Sequence, residues 1–202
     1  MELDTFTEDD LESGSLVIHI IISIYKDVLV NAESKRRKFE RESLDAAAAD
    51  FGKLLDSGED ADVTFELTDG QTLKAHGAFL KARSRVFSAM LRNQMQESSS
   101  GVIKIEDVSY EVMKRILTFI YTGKLDNKWG EMIQEIVYAA NKYELLTLLK
   151  FCDENLAATC TPETAWNLMD FAKLHGMKTA QVEIAEYFKN HMNEILQAKI
   201  AS

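Results

Sequence analysis

The spacing of apolar positions shifts several times along the chain, and each shift predicts a different element. The first apolar run, LVIHIIISIY from Leu16 to Tyr25, is rich in β-branched side chains and follows Gly14. That composition predicts a strand, buried on both faces or paired within a sheet. No second strand pattern occurs in the first fifty residues, and an unpaired apolar strand invites aggregation. The run is therefore expected to be a fragment of a larger sheet, or a swapped or docked element, with His19 an ordinary strand side chain. Next, ESKRRKFERE from Glu33 to Glu42 brackets a cationic run with acids. It reads as a solvated linker or helix face, with a nuclear localisation patch as the alternative. From Ser43 an alanine-rich start followed by Phe51, Leu54 and Leu55 predicts an amphipathic helix over Leu44 to Asp56, closed by Ser57 and Gly58.

The period then shortens to two. DVTFELTDGQTLKA alternates Val63, Phe65 and Leu67 with polar residues, breaks at Asp69-Gly70 and resumes with Leu73 and Ala75. This predicts a β-hairpin with a type I′ turn and one buried face. Helical spacing returns with Phe79 and Leu80, then Val86, Phe87, Met90 and Leu91, as two short helices meeting near Ser84. A third strand is expected over Val102 to Val108. Three amphipathic stretches follow, Met113 to Ile120, Ile133 to Ala140 and Leu145 to Cys152, each apolar at i, i+3, i+4 and i+7. Thr161, Pro162 and Glu163 mark another helix start. A helical pair over 163–174 and 179–196 is expected from there, interrupted at His175-Gly176, where Gly176 suits the left-handed position after a helix end. The order of helix, hairpin, two helices, strand and a run of helices predicts an α+β domain, a small mixed sheet covered by helices.

Composition narrows the chemistry. The 202 residues, 46% hydrophobic and 28% charged, are enough for one good core. A net charge of -10 argues against nucleic acid as a partner, because phosphate backbones are held by clustered cations. Cys152 and Cys160 are the two cysteines and no Asn-x-Ser/Thr acceptor occurs, which fits a reduced, intracellular setting. Their spacing matches no common zinc pattern and Cys152 lies on an apolar stripe, so a buried free thiol is expected and no metal. Acids at Glu2, Asp4, Glu8, Asp9 and Asp10 stand where a signal peptide would be cationic. The run from Leu16 to Tyr25 is far short of the roughly 20 residues that cross a bilayer, so no membrane is expected. No nucleophile-elbow, Walker A, zinc-protease or dinucleotide-binding motif appears and the histidines are scattered, so neither catalysis nor a cofactor is expected.

Longer motifs sit on these elements. DVTFELTDGQTLKAHGAFLKARSRVFSAML, then FIYTGKL, then AANKYELLTLLKFCDENL, resemble a BTB/POZ domain, specifically of the speckle-type POZ (MATH–BTB) group, over roughly Asp50 to Ala158. TPETAWNLMDFAKLHGMKTAQVEIAEYF resembles the 3-box or partial BACK region that follows this domain in cullin-3 adaptors. GSLVIHIIISIYKD looks like the last strand of the substrate-binding MATH sandwich that precedes it, which implies a MATH domain truncated to that strand, either in the gene product or in a fragment. The resemblance divides the chain into 1–42, an acidic N-terminus with the orphan MATH-like strand and a basic linker; 43–159, the BTB/POZ domain; and 160–202, the 3-box/partial BACK helices.

Site residues follow from the same resemblance. The group's cullin-binding signature, an apolar residue, any residue, then glutamate, falls on Met95-Gln96-Glu97 within VFSAMLRNQMQESSSG. A flexible methionine can fill a partner's apolar cleft while a glutamate accepts hydrogen bonds or caps a neighbouring helix; the alternative is that Met95 folds back onto the core and Glu97 is solvated. Ser98 to Ser100 read as plain loop, with a phosphosite as the alternative. Such domains are usually homodimers, and the positions matching the dimer interface are Phe51, Leu54, Leu55 and Phe79, against the alternative of an internal core. Asp62 matches a semi-buried aspartate that the family pairs with a basic residue after the histidine of its Ala-His motif. Gly77 stands there instead, so Asp62 needs Arg83, backbone donors or water. Arg85, where the group often has proline, is a second departure, and His76 is expected to satisfy a backbone group.

The resemblance implies a homodimeric adaptor that recruits the N-terminal domain of cullin-3 as part of an E3 ubiquitin ligase complex, chemistry being left to other subunits. The alternatives are a BTB self-association or corepressor-type module, and a MATH-less regulator that heterodimerises with full-length MATH–BTB relatives. The setting it implies is intracellular, nucleus and/or cytoplasm.

Overall fold

The computed structural model describes residues 15–68, 70–97 and 101–201; the side chains of 15–25, 27–28, 93–97 and 201 lie outside the described set. The chain divides into two units, Met1–Ala47 and Ala48–Ser202.

Helix α1 spans Ser15–Ser57. The strand expected over Leu16 to Tyr25 is therefore not formed, and with it goes the reading of this stretch as a MATH-like strand. Strand propensity measures how well a side chain fits a pleated, partly buried surface. With no ladder to pair with, the backbone satisfies its own donors and acceptors within a helix. The ESKRRKFERE stretch is an exposed part of this helix, laced by Arg37–Glu33 at 3.7 Å, Arg36–Glu40 at 3.0 Å and Lys38–Glu42 at 3.8 Å. Each such pair adds only a few tenths of a kcal/mol. The helix ends as expected, with Gly58 at φ 61° donating its amide to the Leu54 carbonyl at 3.2 Å.

In the second unit, β1 (Val63–Leu67), β2 (Thr72–Ala75) and β3 (Val102–Ile105) form a sheet of order β2-β1-β3. β1 runs antiparallel to β2 and parallel to β3. The alternation read from sequence sets one face, with Val63, Phe65 and Leu67 buried and Thr64 and Glu66 turned outward. The hairpin does not close through a two-residue turn. Gly70, at φ 77°, donates to the Leu67 carbonyl at 2.9 Å, and the Leu67 amide donates to the Gln71 carbonyl at 3.0 Å. This is a three-residue connection with glycine in the left-handed position. Asp69 lies outside the described residues.

A parallel pair needs a crossover. Here α2 (Gly77–Arg83) and α3 (Arg85–Glu97) supply it, meeting at Ser84 as the apolar spacing predicts. β3 stops at Ile105, short of the expected Val108, which is buried outside the strand. Then come α4 (Tyr110–Thr122), a 3-10 turn (Trp129–Met132), α5 (Ile133–Lys142), α6 (Leu146–Asn155), a second 3-10 turn (Leu156–Thr159), α7 (Ala165–Leu174) and α8 (Lys178–Ala201), kinked at His191. Phe65, Leu80, Phe87, Ile103, Met113, Ile116, Ile136 and Tyr143 are the sealed centre of the core. Cys152 is buried and unpaired, and burial pushes its thiol up to about 12.

The C-terminal pair starts two residues later than expected, at Ala165, with Thr164 and not Thr161 at its N-cap; Thr161 accepts the Thr164 amide at 3.3 Å in the turn just before it. Gly176, at φ 66°, ends α7, and the Met177 amide reaches back to the Ala172 carbonyl at 2.9 Å. One carboxylate ties this pair to the domain. Asp153 on α6 accepts the Ala180 amide at 3.0 Å and the Thr179 amide at 3.4 Å, capping α8 from a distant element. Asp153→Ala is expected to cost about 1 kcal/mol, as other helix caps do. The loss should appear in amide exchange as earlier opening of α7 and α8 than of the sheet, and uniform protection would contradict this role.

Candidate functional site

The side chains matching a dimer face meet in an aromatic stack. Phe51 of α1 stands edge-on to Phe79 of α2, ring centroids 5.1 Å apart. Phe79 lies flat on Tyr121 of α4 at 4.3 Å. The Tyr121 hydroxyl accepts the His76 backbone amide at 2.7 Å and lies 2.7 Å from His76 Nδ1. The Glu59 carbonyl can only accept, so Nε2–H donates to it at 2.6 Å. His76 thus satisfies a backbone group, as expected. Burial raises the Tyr121 hydroxyl above the ordinary tyrosine range.

Phe51 remains 42% exposed, Leu54 and Leu55 half-buried, and Leu55 and Phe79 pack against the core. The stripe is partly anchored and partly open. Tyr121 was not singled out from sequence, although it falls four residues after Leu117 and eight after Met113, on the same helical stripe.

Asp62 departs from its expected burial: in the chain it is exposed. Its Oδ1 accepts the Gly77 amide at 2.6 Å. A Cβ at position 77 would stand 3.1 Å from Oδ2, so glycine lets the carboxylate come up against the main chain. A backbone donor therefore takes the place of the missing cation. Arg83 is turned elsewhere, with its guanidinium 5.9 Å over the Phe119 ring.

Met95 and Glu97 lie in the last turn of α3, and their side chains, like all of Ser98 to Ser100, are outside the described residues. The described chain resumes at Gly101, whose carbonyl accepts the Thr64 amide at 2.9 Å. Gly101 sits at φ 62°, and a Cβ there would stand 2.5 Å from the Asp62 carbonyl oxygen. Any side chain would push this junction off the sheet, so glycine is required at the entry to β3.

Just beyond β3, Asp107 meets Lys142 of α5 and receives the Tyr138 hydroxyl at 3.0 Å. The bond from Lys142 holds the Asp107 carboxyl below the ordinary range, outweighing the opposing effect of burial. A lowered carboxyl stabilises the fold above the unfolded value of about 3.9, and that contribution is lost as pH falls through the folded value. Asp107→Asn is therefore expected to destabilise at neutral pH, with the gap to wild type closing below about pH 4 and shrinking in high salt. Urea unfolding at pH 7 and pH 3 checks this; a gap that is independent of pH would remove the charge as its cause.

Among the described residues no three His, Cys, Asp or Glu are grouped to hold a metal ion, and no helix is long and apolar enough to cross a membrane.

The family model for the BTB/POZ domain matches residues 51–159, more than half of the chain. Among solved structures the chain is similar to the BTB domain of zebrafish PATZ1, at 24% sequence identity and a TM-score of 0.45, over 58% of this chain and 91% of that one.

Proposed function

The chain belongs to the BTB/POZ domain family, and from that premise we propose that it is a homodimeric adaptor recruiting the N-terminal domain of cullin-3 into a ubiquitin ligase complex. Domains of this family are protein-interaction modules, generally without enzymatic activity, and they commonly homodimerise. The observation carrying the finer reading is the placement of Met95-Gln96-Glu97. The triplet ends α3, directly before the glycine-anchored entry to β3, and is followed further on by a helical pair capped from within the domain.

Dimerisation is assigned to Phe51, Leu54, Leu55 and Phe79. A ring left 42% exposed beside a stacked pair still has apolar surface to bury against a partner. Two copies would present two cullin arms and raise effective concentration without new contacts. A MATH–BTB relative with the same stripe would compete for it. The proposed setting is intracellular, nucleus and/or cytoplasm, in keeping with two unpaired thiols.

The test is calorimetric titration of the full chain with the cullin-3 N-terminal domain, beside Glu97→Lys and Phe51→Asp, with sedimentation to report the oligomer. Wild type is expected to bind with micromolar or tighter Kd. Glu97→Lys should remain a dimer and lose at least about tenfold in affinity; Phe51→Asp should sediment as a monomer. No heat and no complex from a folded dimeric wild type would overturn the adaptor reading.

A further inference from the structure

We propose that the outer edge of β2, with the depression beside it, is a docking groove for an extended segment of a partner protein that carries an apolar side chain and, within two residues, an acidic one. The groove borders the dimer assignment at Leu55, while Phe51, Leu54 and Phe79 do not line it.

The argument begins with hydrogen-bond parity. β2 is an edge strand in the order β2-β1-β3. Leu67 and Gln71 are a hydrogen-bonded pair. By the alternation of antiparallel ladders, Phe65↔Leu73 and Val63↔Ala75 are hydrogen-bonded too, while Glu66↔Thr72 and Thr64↔Lys74 are not. The amides and carbonyls of Thr72 and Lys74 therefore point away from β1, out of the sheet. The other side of the ladder agrees, because the Thr64 amide is spent on the Gly101 carbonyl towards β3. No described residue completes the outward groups of Thr72 and Lys74. Such a row is a template for an added strand, main-chain bonds supplying affinity and neighbouring pockets supplying choice.

The neighbouring pocket is present. A depression of about 330 Å³ borders β2 between the end of α1 and α4. Its apolar lining includes Leu73 and Tyr110, both half-buried and so available to a visiting side chain, with Leu55 of the dimer stripe at its border. Lys74 and Lys114 also line it, against one acid, Asp56. Neither lysine makes an ion pair among the described residues, within a chain of net charge -10. An acidic side chain on the incoming strand meets the local excess of positive charge.

The experiment selects ten-residue peptides from a random phage-displayed library on the immobilised full chain. The most enriched peptide is then synthesised with a fluorescent label and titrated into wild type, Lys114→Glu and Lys74→Pro. Enriched peptides are expected to share the apolar and acidic pair. Binding should weaken by at least about tenfold in Lys114→Glu, a surface change on a helix, and in Lys74→Pro, which removes an outward amide. Hydrogen exchange of wild type with the peptide should slow the amides of Thr72 and Lys74 in particular, which keeps the test decisive if Lys74→Pro does not fold. The proposal is overturned by an absence of enriched peptides, by protection elsewhere, by affinity indifferent to Lys114→Glu, or by concentration-dependent protection of β2 without peptide, which would give the edge to a second copy.

Discussion

Phe87→Ala is expected to lower the unfolding free energy by about 3–5 kcal/mol, the range for emptying an aromatic site in a sealed core. Phe87 has no exposed surface. Its ring stacks on Tyr143 of α5 and α6's junction at 4.4 Å and stands edge-on to Phe65 of β1 at 5.6 Å. It therefore joins the crossover helix to both the sheet and the following helices, and no single neighbour can relax into the space. The transfer loss and the cavity term add, and the lost ring pairs contribute about 0.5–1.5 kcal/mol each beyond area. Urea unfolding of wild type and variant with a shared slope reads the difference as a shift of midpoint. A loss below about 1 kcal/mol would mean that the core refills, contrary to the packing seen here.

The second large effect belongs to a polar group. Ser84 is only 2% exposed. Its hydroxyl donates to the Tyr143 carbonyl at 2.6 Å and accepts the Phe87 amide at 3.0 Å. One side chain thus caps α3 and satisfies a carbonyl where α5 ends. Ser84→Ala leaves both partners unsatisfied in a dry setting. A lost cap costs about 0.5–2 kcal/mol and a buried unsatisfied acceptor about 1–3, which together give an expected loss of about 1.5–5 kcal/mol. Because the Phe87 amide and ring are both involved, the Ser84→Ala/Phe87→Ala double variant should fall short of the sum of the single losses. Strict additivity in the double-mutant cycle would show that cap and ring act independently. The consequence is positional, since a frayed start loosens the whole of α3, which ends at Glu97.

Much of this was legible along the chain, and the physical reason is locality. The alternation of Val63, Phe65 and Leu67, the break at Ser84, the helical stripes after Ser109 and the glycine at position 176 each act through neighbours within a few residues. The site residues were less legible. Phe51 and Phe79 could be placed on stripes, but not on each other, and Tyr121 was missed because its partners, His76 and Phe79, lie more than forty residues upstream. Ser84 was visible as a boundary and not as a bond, since Tyr143 is 59 residues away.

Where local preference and long-range pairing disagreed, the pairing decided. Leu16 to Tyr25 has the composition of a strand and folds as helix, because a strand without a ladder leaves its backbone unsatisfied and a helix does not. Asp62 lacks the expected cation and takes the Gly77 amide fifteen residues on, an option that only the folded backbone creates. By itself the sequence determined the family and, from Ser43 onward, the elements and their order; the tertiary structure alone decided the first helix, which polar groups are satisfied, which aromatic rings meet and which strand edge stays open, because each depends on partners present or absent in distant parts of the chain.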